Sequence, residues 1–412
     1  MQHTDAIVIG AGQAGLAMSH CLTVAGIDHL VLERGLPGQR WRTERWDRLR
    51  LLTPNWMSRL PGWSYQGSDP DGYMTMPETV SYLERYAHSF HAPVITGASV
   101  HSVHRMPGVY RVESYAGTWR TRCVIIATGQ CDTPLVPQMT QQVSGSVLQL
   151  TPTTYRNAHE LPDGDVLIVG ASASGIQLAA EIQQSGRQVT VSVGHHTRLP
   201  RVYRGRDIMW WMDRIGILTE TVDSIPDLAR ARAQPSFQLI GRPDRSYLDL
   251  NLLQSMGARI VGRARDVHDG NLILDADLAE TTQASHRRLE RLLSRIDEAA
   301  DAMNAPPDCW PGQISLPKST PSSLRLGGSG VRTIIWATGF RRNYQWLHVP
   351  VLDAHGEIIH VGGITPSPGL YVLGLRLLRR RNSNFLDGVG ADAIELTADV
   401  QRYLSGVVCA AA

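Results

Sequence analysis

Two segments of this 412-residue chain repeat one construction, and that repetition constrains its fold more than any other feature. Residues 6–22 read AIVIGAGQAGLAMSHCL and residues 165–182 read DVLIVGASASGIQLAAEI. Each is a short buried-type run, then small residues in a tight-turn spacing, then the apolar face of a helix. Gly10, Gly12 and Gly15 hold the first turn, and Gly170, Ser172, Ser174 and Gly175 the second. In such a turn the first glycine permits the bend. The second position lets a pyrophosphate approach the backbone, and the third lets helix pack on strand. A lone G-x-G-x-x-G is weak evidence, but strand, turn, helix and second strand in order predict a nucleotide-binding unit. Two of them predict an α/β chain with two Rossmann-like dinucleotide-binding domains.

The two copies differ where the nucleotide is discriminated. Gly26 lies eleven positions beyond Gly15, and Gly186 eleven beyond Gly175. Glu33 lies eighteen beyond Gly15, at the end of a second strand, where an acid accepts hydrogen bonds from a ribose 2′-OH. Eighteen beyond Gly175 lies Val193, followed by GHHTRLPRVYR. Loss of the acid, with His195, Arg198, Arg201 and Arg204 clustered after it, predicts a 2′-phosphate and hence NADPH at the second site. The first site then expects a plain adenosine ribose, and FAD is the expected occupant. His195 and His196 have no further ligand types around them, so no metal is expected.

Composition narrows the function classes. With 42% apolar and 19% charged residues the chain can build two or three ordinary folded domains. A net charge of +2 gives no footprint for nucleic acid or an acidic membrane. The N-terminal MQHTD carries no basic segment and no run is long enough to span a bilayer, so a cytoplasmic protein without a membrane partner is expected. The five cysteines form no C-x-x-C pair, which argues against a disulfide reductase. Lys318 is the single lysine, leaving almost no candidate for Schiff-base chemistry.

The runs RCVIIATG (122–129) and RTIIWATG (332–339) end in Ala127-Thr128-Gly129 and Ala337-Thr338-Gly339, small residues suited to strand ends crowded by a cofactor or a crossing linker. With the two glycine turns, WRTERWDRLRLLTP at 41–54 and the closing GLYVLGLRLLRRRNSNFLDGVGADA, the chain resembles the class B flavoprotein monooxygenases, that is, the flavin-containing monooxygenases and their bacterial relatives. The resemblance implies an NADPH domain (150–330) inserted into an FAD domain (1–149 and 331–412). It places Trp41, Arg42 and Thr53–Pro54 near FAD, and Gly374 and the Gly388–Asp392 turn at the flavin's pyrimidine end. It also implies oxygenation of a small organic substrate at nitrogen, sulfur or carbon, with molecular oxygen as co-substrate and a flavin C4a-hydroperoxide as oxidant.

One signature departs from the family. Where F-x-G-x-x-x-H is expected, the chain has Val143, Gly145 and Gln149; Gln149, at the family's histidine position, cannot supply a titrating imidazole in a segment that the resemblance implies couples NADPH binding to oxygen chemistry, and no catalytic residue is otherwise assigned. An NADPH oxidase, an NADPH-dependent reductase of a quinone-type acceptor, and a non-enzymatic NADPH sensor stay open beside the monooxygenase, as does oligomeric state. Three further readings concern packing. Leu289, Leu292, Leu293, Ile296, Ala300 and Met303 share one helical face and read as core. Trp210, Trp211, Cys309 and Trp310 read equally as cavity walls or as structure, and Arg379–Arg381 as a surface run.

Overall fold

The computed structural model describes residues 2–308, 310 and 312–406. The apolar runs become central strands of two sheets, as expected of segments with no wet face. In the first sheet Gln2–Ile9 lies between His29–Leu32 and Gly117–Ile126, both parallel to it, with Ala6 opposite His29 on one side and Cys123 on the other. Val94–Ile95 extends one edge. On the other side Val100–Met106, Val109–Ser114 and Gly117–Ile126 form an antiparallel meander. Leu347–His348 and Leu370–Val372 return from the far end of the chain to pair with Val100–Met106 and Gly117–Ile126.

The second sheet is wholly parallel, in the order Leu148–Leu150, Val331–Trp336, Asp165–Val169, Val189–Ser192, Arg259–Val261. Its membership moves the expected boundaries at 149/150 and 330/331. Val331–Trp336, expected to open the returning segment, is instead a middle strand of the inserted unit. It is buried along nearly its whole length, and Leu148–Leu150 and Asp165–Val169 supply the neighbours it needs on both sides. The units are joined at Thr133–Pro134 and Phe340–Arg341, which pair antiparallel directly after the two Ala-Thr-Gly ends.

Helices Gln13–Val24 and Ala173–Gln184 follow the two glycine turns. The C-terminal helix Val389–Leu404 packs on the first of them. The inserted unit also carries the long helix Leu278–Ala302, which buries Leu289, Leu293, Ile296 and Ala300. Leu292 is only partly buried on that face and Met303 is 44% exposed, so the core stripe is narrower than the sequence suggests. No helix among the described residues is long and apolar enough to cross a membrane.

Candidate active site

A cleft of about 1120 Å³ opens between the two units, and both glycine turns reach it. The first is a tightly built cradle. Gly10 has φ of +105°, and a side chain there would meet the Ala127 carbonyl oxygen at 2.8 Å. A Cβ on Gly15 would lie 1.8 Å from the Gly10 carbonyl oxygen. At Gly12 the same test meets no atom within 4 Å. There the helix N-terminus, whose first N–H groups have no intrahelical acceptor, faces open cleft suited to a pyrophosphate. Glu33 is buried, and its carboxylate accepts from the backbone N–H of Ala11 at 2.7 Å and of Gly35 at 3.0 Å.

The second turn repeats this geometry. Gly170 has φ of +112° with the Ala337 carbonyl oxygen 2.4 Å from a built Cβ, and Gly175 would clash with the Gly170 carbonyl oxygen at 1.9 Å. The small residues of Ala127-Thr128-Gly129 and Ala337-Thr338-Gly339 thus gain a reason beyond crossing the linker. Each alanine carbonyl closes on the first glycine of its turn. Ala173 and Ser174 bring the second helix to the cleft wall, and Val193 is fully buried at the end of its strand.

Around the first cradle the structure brings together Trp41, Thr53, Ala127, Thr128, Gly129 and Gly374. Trp41 donates from its indole to the Gln13 side-chain oxygen at 3.2 Å, and the Gln13 amide reaches the Asn384 carbonyl at 3.4 Å. Gln13 and Asn384 are site residues that the sequence did not single out, because their value depends on this contact across the whole chain length. Two expectations are corrected. Arg42 points away from the cleft and pairs with Glu84 at 2.6 Å. The Gly388–Asp392 turn is filled by protein: a Cβ on Gly388 would meet the Asn382 carbonyl at 2.1 Å, and buried Asp392 pairs with Arg380. The cleft edge lies instead at Asn384–Leu386.

The expected phosphate patch is also corrected. Arg198 and Arg201 are each 1% exposed and Arg204 8%, and every one has acid partners. Arg198 donates to Asp249 at 2.8 Å and lies over the Trp310 ring. Arg201 pairs with Asp207 at 2.5 Å, and Arg204 with Asp297 at 3.1 Å and Asp301 at 2.6 Å. They hold the inserted unit together and are spent. Of the four expected residues His195 alone is exposed, its carbonyl 3.5 Å from the Ser172 hydroxyl.

The cations that do reach the second turn come from the long helix. Arg288 lines the cleft and donates to the His196 carbonyl at 2.5 Å. Burial lowers its pKa, and Arg291 and Arg287 on the same helix, with Arg230 on the separate helix Leu228–Ala233, lower it further, so four guanidinium groups share one small region. Among the described residues none of the four makes an ion pair. The signal was present as HRRLERLLSR but looked like an ordinary solvated face.

Gln149 also departs from expectation. It lies in the second sheet rather than the cleft wall, accepting from the Trp336 indole at 3.0 Å and donating to the Thr140 carbonyl at 3.2 Å. Its amide ties the crossing linker to the strand. Gln149→Ala is expected to cost about 1 kcal/mol of unfolding free energy, the worth of such a bond, with flavin reduction unchanged. Denaturant titration checks the first and stopped-flow the second. Trp211 is likewise structural, buried and donating to the Tyr203 carbonyl at 2.7 Å with Trp210 against it edge to face. Cys309 lies outside the described residues. Arg379, Arg380 and Arg381 are no solvated run, since they pair with Glu395, Asp399, Asp392 and Glu220.

His196 gives the region a pH dependence. It is fully buried with its Nδ1 3.0 Å from the Gly194 carbonyl, and burial above all pushes its pKa down to about 4. A histidine depressed on folding contributes stability above its unfolded pKa of about 6.5, lost as pH falls through the folded value. The thermal midpoint is therefore expected to fall from pH 6.5 to 4, and less steeply in His196→Asn. His360, also pushed to about 4 by burial, keeps some slope in the variant. An identical slope in the variant would remove His196 from the account.

Residues 7–206 match the pyridine nucleotide-disulphide oxidoreductase family. The chain is 32% identical, over 98% of its length and 100% of the relative, to a CzcO-like oxidoreductase of Geobacillus kaustophilus. It is 30% identical, over 46% of its length and 48% of the relative, to the indole-3-pyruvate monooxygenase YUCCA6 of Arabidopsis thaliana. Its fold matches a flavin-containing monooxygenase from Stenotrophomonas maltophilia with a TM-score of 0.70, at 20% identity, over 98% of this chain and 99% of that one.

Proposed function

We propose that this chain, which belongs to the flavin-monooxygenase-like family of CzcO-like oxidoreductases, uses FAD in its first cradle and NADPH in its second to oxygenate a small organic molecule. The observation that carries the reading is one glycine cradle built twice on one cleft, with an acid in the first copy and, beside the second, arginines that make no ion pair among the described residues. Bound FAD supplies electron acceptance from NADPH and reaction with oxygen. The remaining tasks belong to the chain. The helix beginning at Gln13 and the carboxylate of Glu33 bind the adenosine and pyrophosphate end of FAD. Trp41, Thr53, Ala127–Gly129 and Gly374 confine the ring end. The second helix, at Ser172 to Ser174, and the Arg288 cluster would hold NADPH in the cleft that the first cradle shares. Apolar walls from both units keep that cleft dry. The monooxygenase name of the plant relative supports oxygen as the second substrate. Anaerobic titration tests the nucleotide assignment: NADPH is expected to bleach the flavin absorbance, NADH far less effectively. Failure of NADPH to bleach it would defeat the proposal.

A further inference from the structure

Part of the cleft wall belongs to neither glycine turn. Ile217, Leu218, Leu292 and Phe385 line the cleft and belong to one apolar cluster with Met212 and Leu52. Among the arginines that line the same cleft are Arg376 and Arg381, from the segment after Gly374, and Arg295, one turn along the long helix from Leu292. Arg295 and Arg381 share Glu220, at 2.9 Å and 2.5 Å, and its carbonyl also accepts the Arg381 backbone N–H at 3.1 Å. Arg376 makes no ion pair among the described residues. Its backbone N–H donates to the Gln130 side-chain oxygen at 3.2 Å and its guanidinium to the Gln234 carbonyl. Burial lowers its pKa and the charge of Arg381 lowers it further.

A partly buried cation with no carboxylate of its own among the described residues, in a cleft where one carboxylate already serves two other cations, is a costly arrangement that an incoming anion relieves. The nucleotide phosphates have their own partners. The FAD pyrophosphate would meet the helix N-terminus at Gln13, and Arg288 at the second turn lies about 10 Å along the helix from Arg295 at 1.5 Å per residue. We infer that the substrate is an apolar molecule bearing a carboxylate, the carboxylate held by Arg376 and Arg381 and the apolar body lying against Ile217, Leu218, Leu292 and Phe385. The inference rests on the functional reading above, because it takes the flavin ring to lie beside Gly374, within reach of that body. Arg376 and Arg381 are positioning residues here, since they orient the substrate and take no part in electron transfer.

Phenylpropionate and its amide, phenylpropionamide, are matched probes differing in the charge alone. Binding of each to the FAD-loaded enzyme is measured by calorimetry, and perturbation of the flavin spectrum reports that the probe sits beside the ring. The acid is expected to bind about tenfold or more tightly than the amide, as for a charge-assisted pair. Arg376→Gln and Arg381→Gln should each bring the acid-to-amide ratio toward one, and Arg376→Lys should keep part of it. The ratio is insensitive to a general loosening of the fold, which would weaken both probes alike. Equal affinities, binding of neither probe at millimolar concentration, or an unchanged ratio in Arg376→Gln would overturn the inference. Calorimetry needs no turnover, so failure of NADPH to reduce the flavin would defeat the functional reading separately, whichever way this ratio falls.

Discussion

Gly175→Ala is expected to yield a yellow protein that NADPH no longer reduces at a useful rate, and Gly15→Ala a protein that no longer retains FAD. The two substitutions make the same collision. A methyl on Gly15 would sit 1.8 Å from the Gly10 carbonyl oxygen and one on Gly175 1.9 Å from that of Gly170. Both atoms are backbone, so strand and helix must separate, at a cost of about 1–3 kcal/mol or more. That shift also displaces the helix N-terminus from the pyrophosphate it is built to meet. Because each turn belongs to its own sheet, the damage should stay within one unit. Flavin content after purification and the anaerobic rate of reduction read the two effects separately. Flavin loss from Gly175→Ala with normal reduction in Gly15→Ala would reverse the assignment of the cradles.

The second large effect concerns the choice of nucleotide. Arg288→Gln with Arg291→Gln is expected to raise the NADPH concentration needed for half-maximal flavin reduction by about tenfold to a hundredfold, the loss of one or two charged hydrogen bonds. Reduction by NADH, which lacks the 2′-phosphate, should change little. Arg198→Ala should behave in the opposite way. It would strand Asp249, 1% exposed, and cost about 3–5 kcal/mol of stability as in other broken buried pairs, while leaving the NADPH-to-NADH preference of the folded fraction intact. A preference that followed Arg198 and ignored Arg288 would restore the arginines after Val193 as the phosphate site.

That contrast shows where the sequence was readable. Gly10, Gly15, Gly170 and Gly175 were legible because a turn's requirements are local: spacing alone names the positions where a Cβ cannot fit. Glu33 and Val193 followed by counting along the same short unit. Arg198, Arg201 and Arg204 were misread because an arginine's availability depends on its acids. Asp249 and Asp297 lie 51 and 93 positions from Arg198 and Arg204, where no local pattern reveals the pairing, whereas Asp207, the partner of Arg201, lies only 6 positions away and was legible. Arg288 was overlooked for the complementary reason, since a charged face on an amphipathic helix looks the same whether it meets solvent or a cleft. Val331–Trp336 was correctly a buried strand, but its sheet was set by Leu148–Leu150 and Asp165–Val169, distant in sequence. Gln149 was read by position in a motif, whereas its partner Trp336 fixes what it does.

The most direct test of the central claim is to reduce the flavin-loaded enzyme with NADPH without air, mix it rapidly with oxygen, and record spectra with and without a carboxylate-bearing probe. A monooxygenase should show an absorbance band distinct from both reduced and oxidised flavin that persists before reoxidation, and its decay should quicken when an oxidisable substrate is present. Direct return to the oxidised spectrum under every condition, with hydrogen peroxide formed in equal amount, would contradict oxygenation and mark the protein as an NADPH oxidase or a reductase of another acceptor.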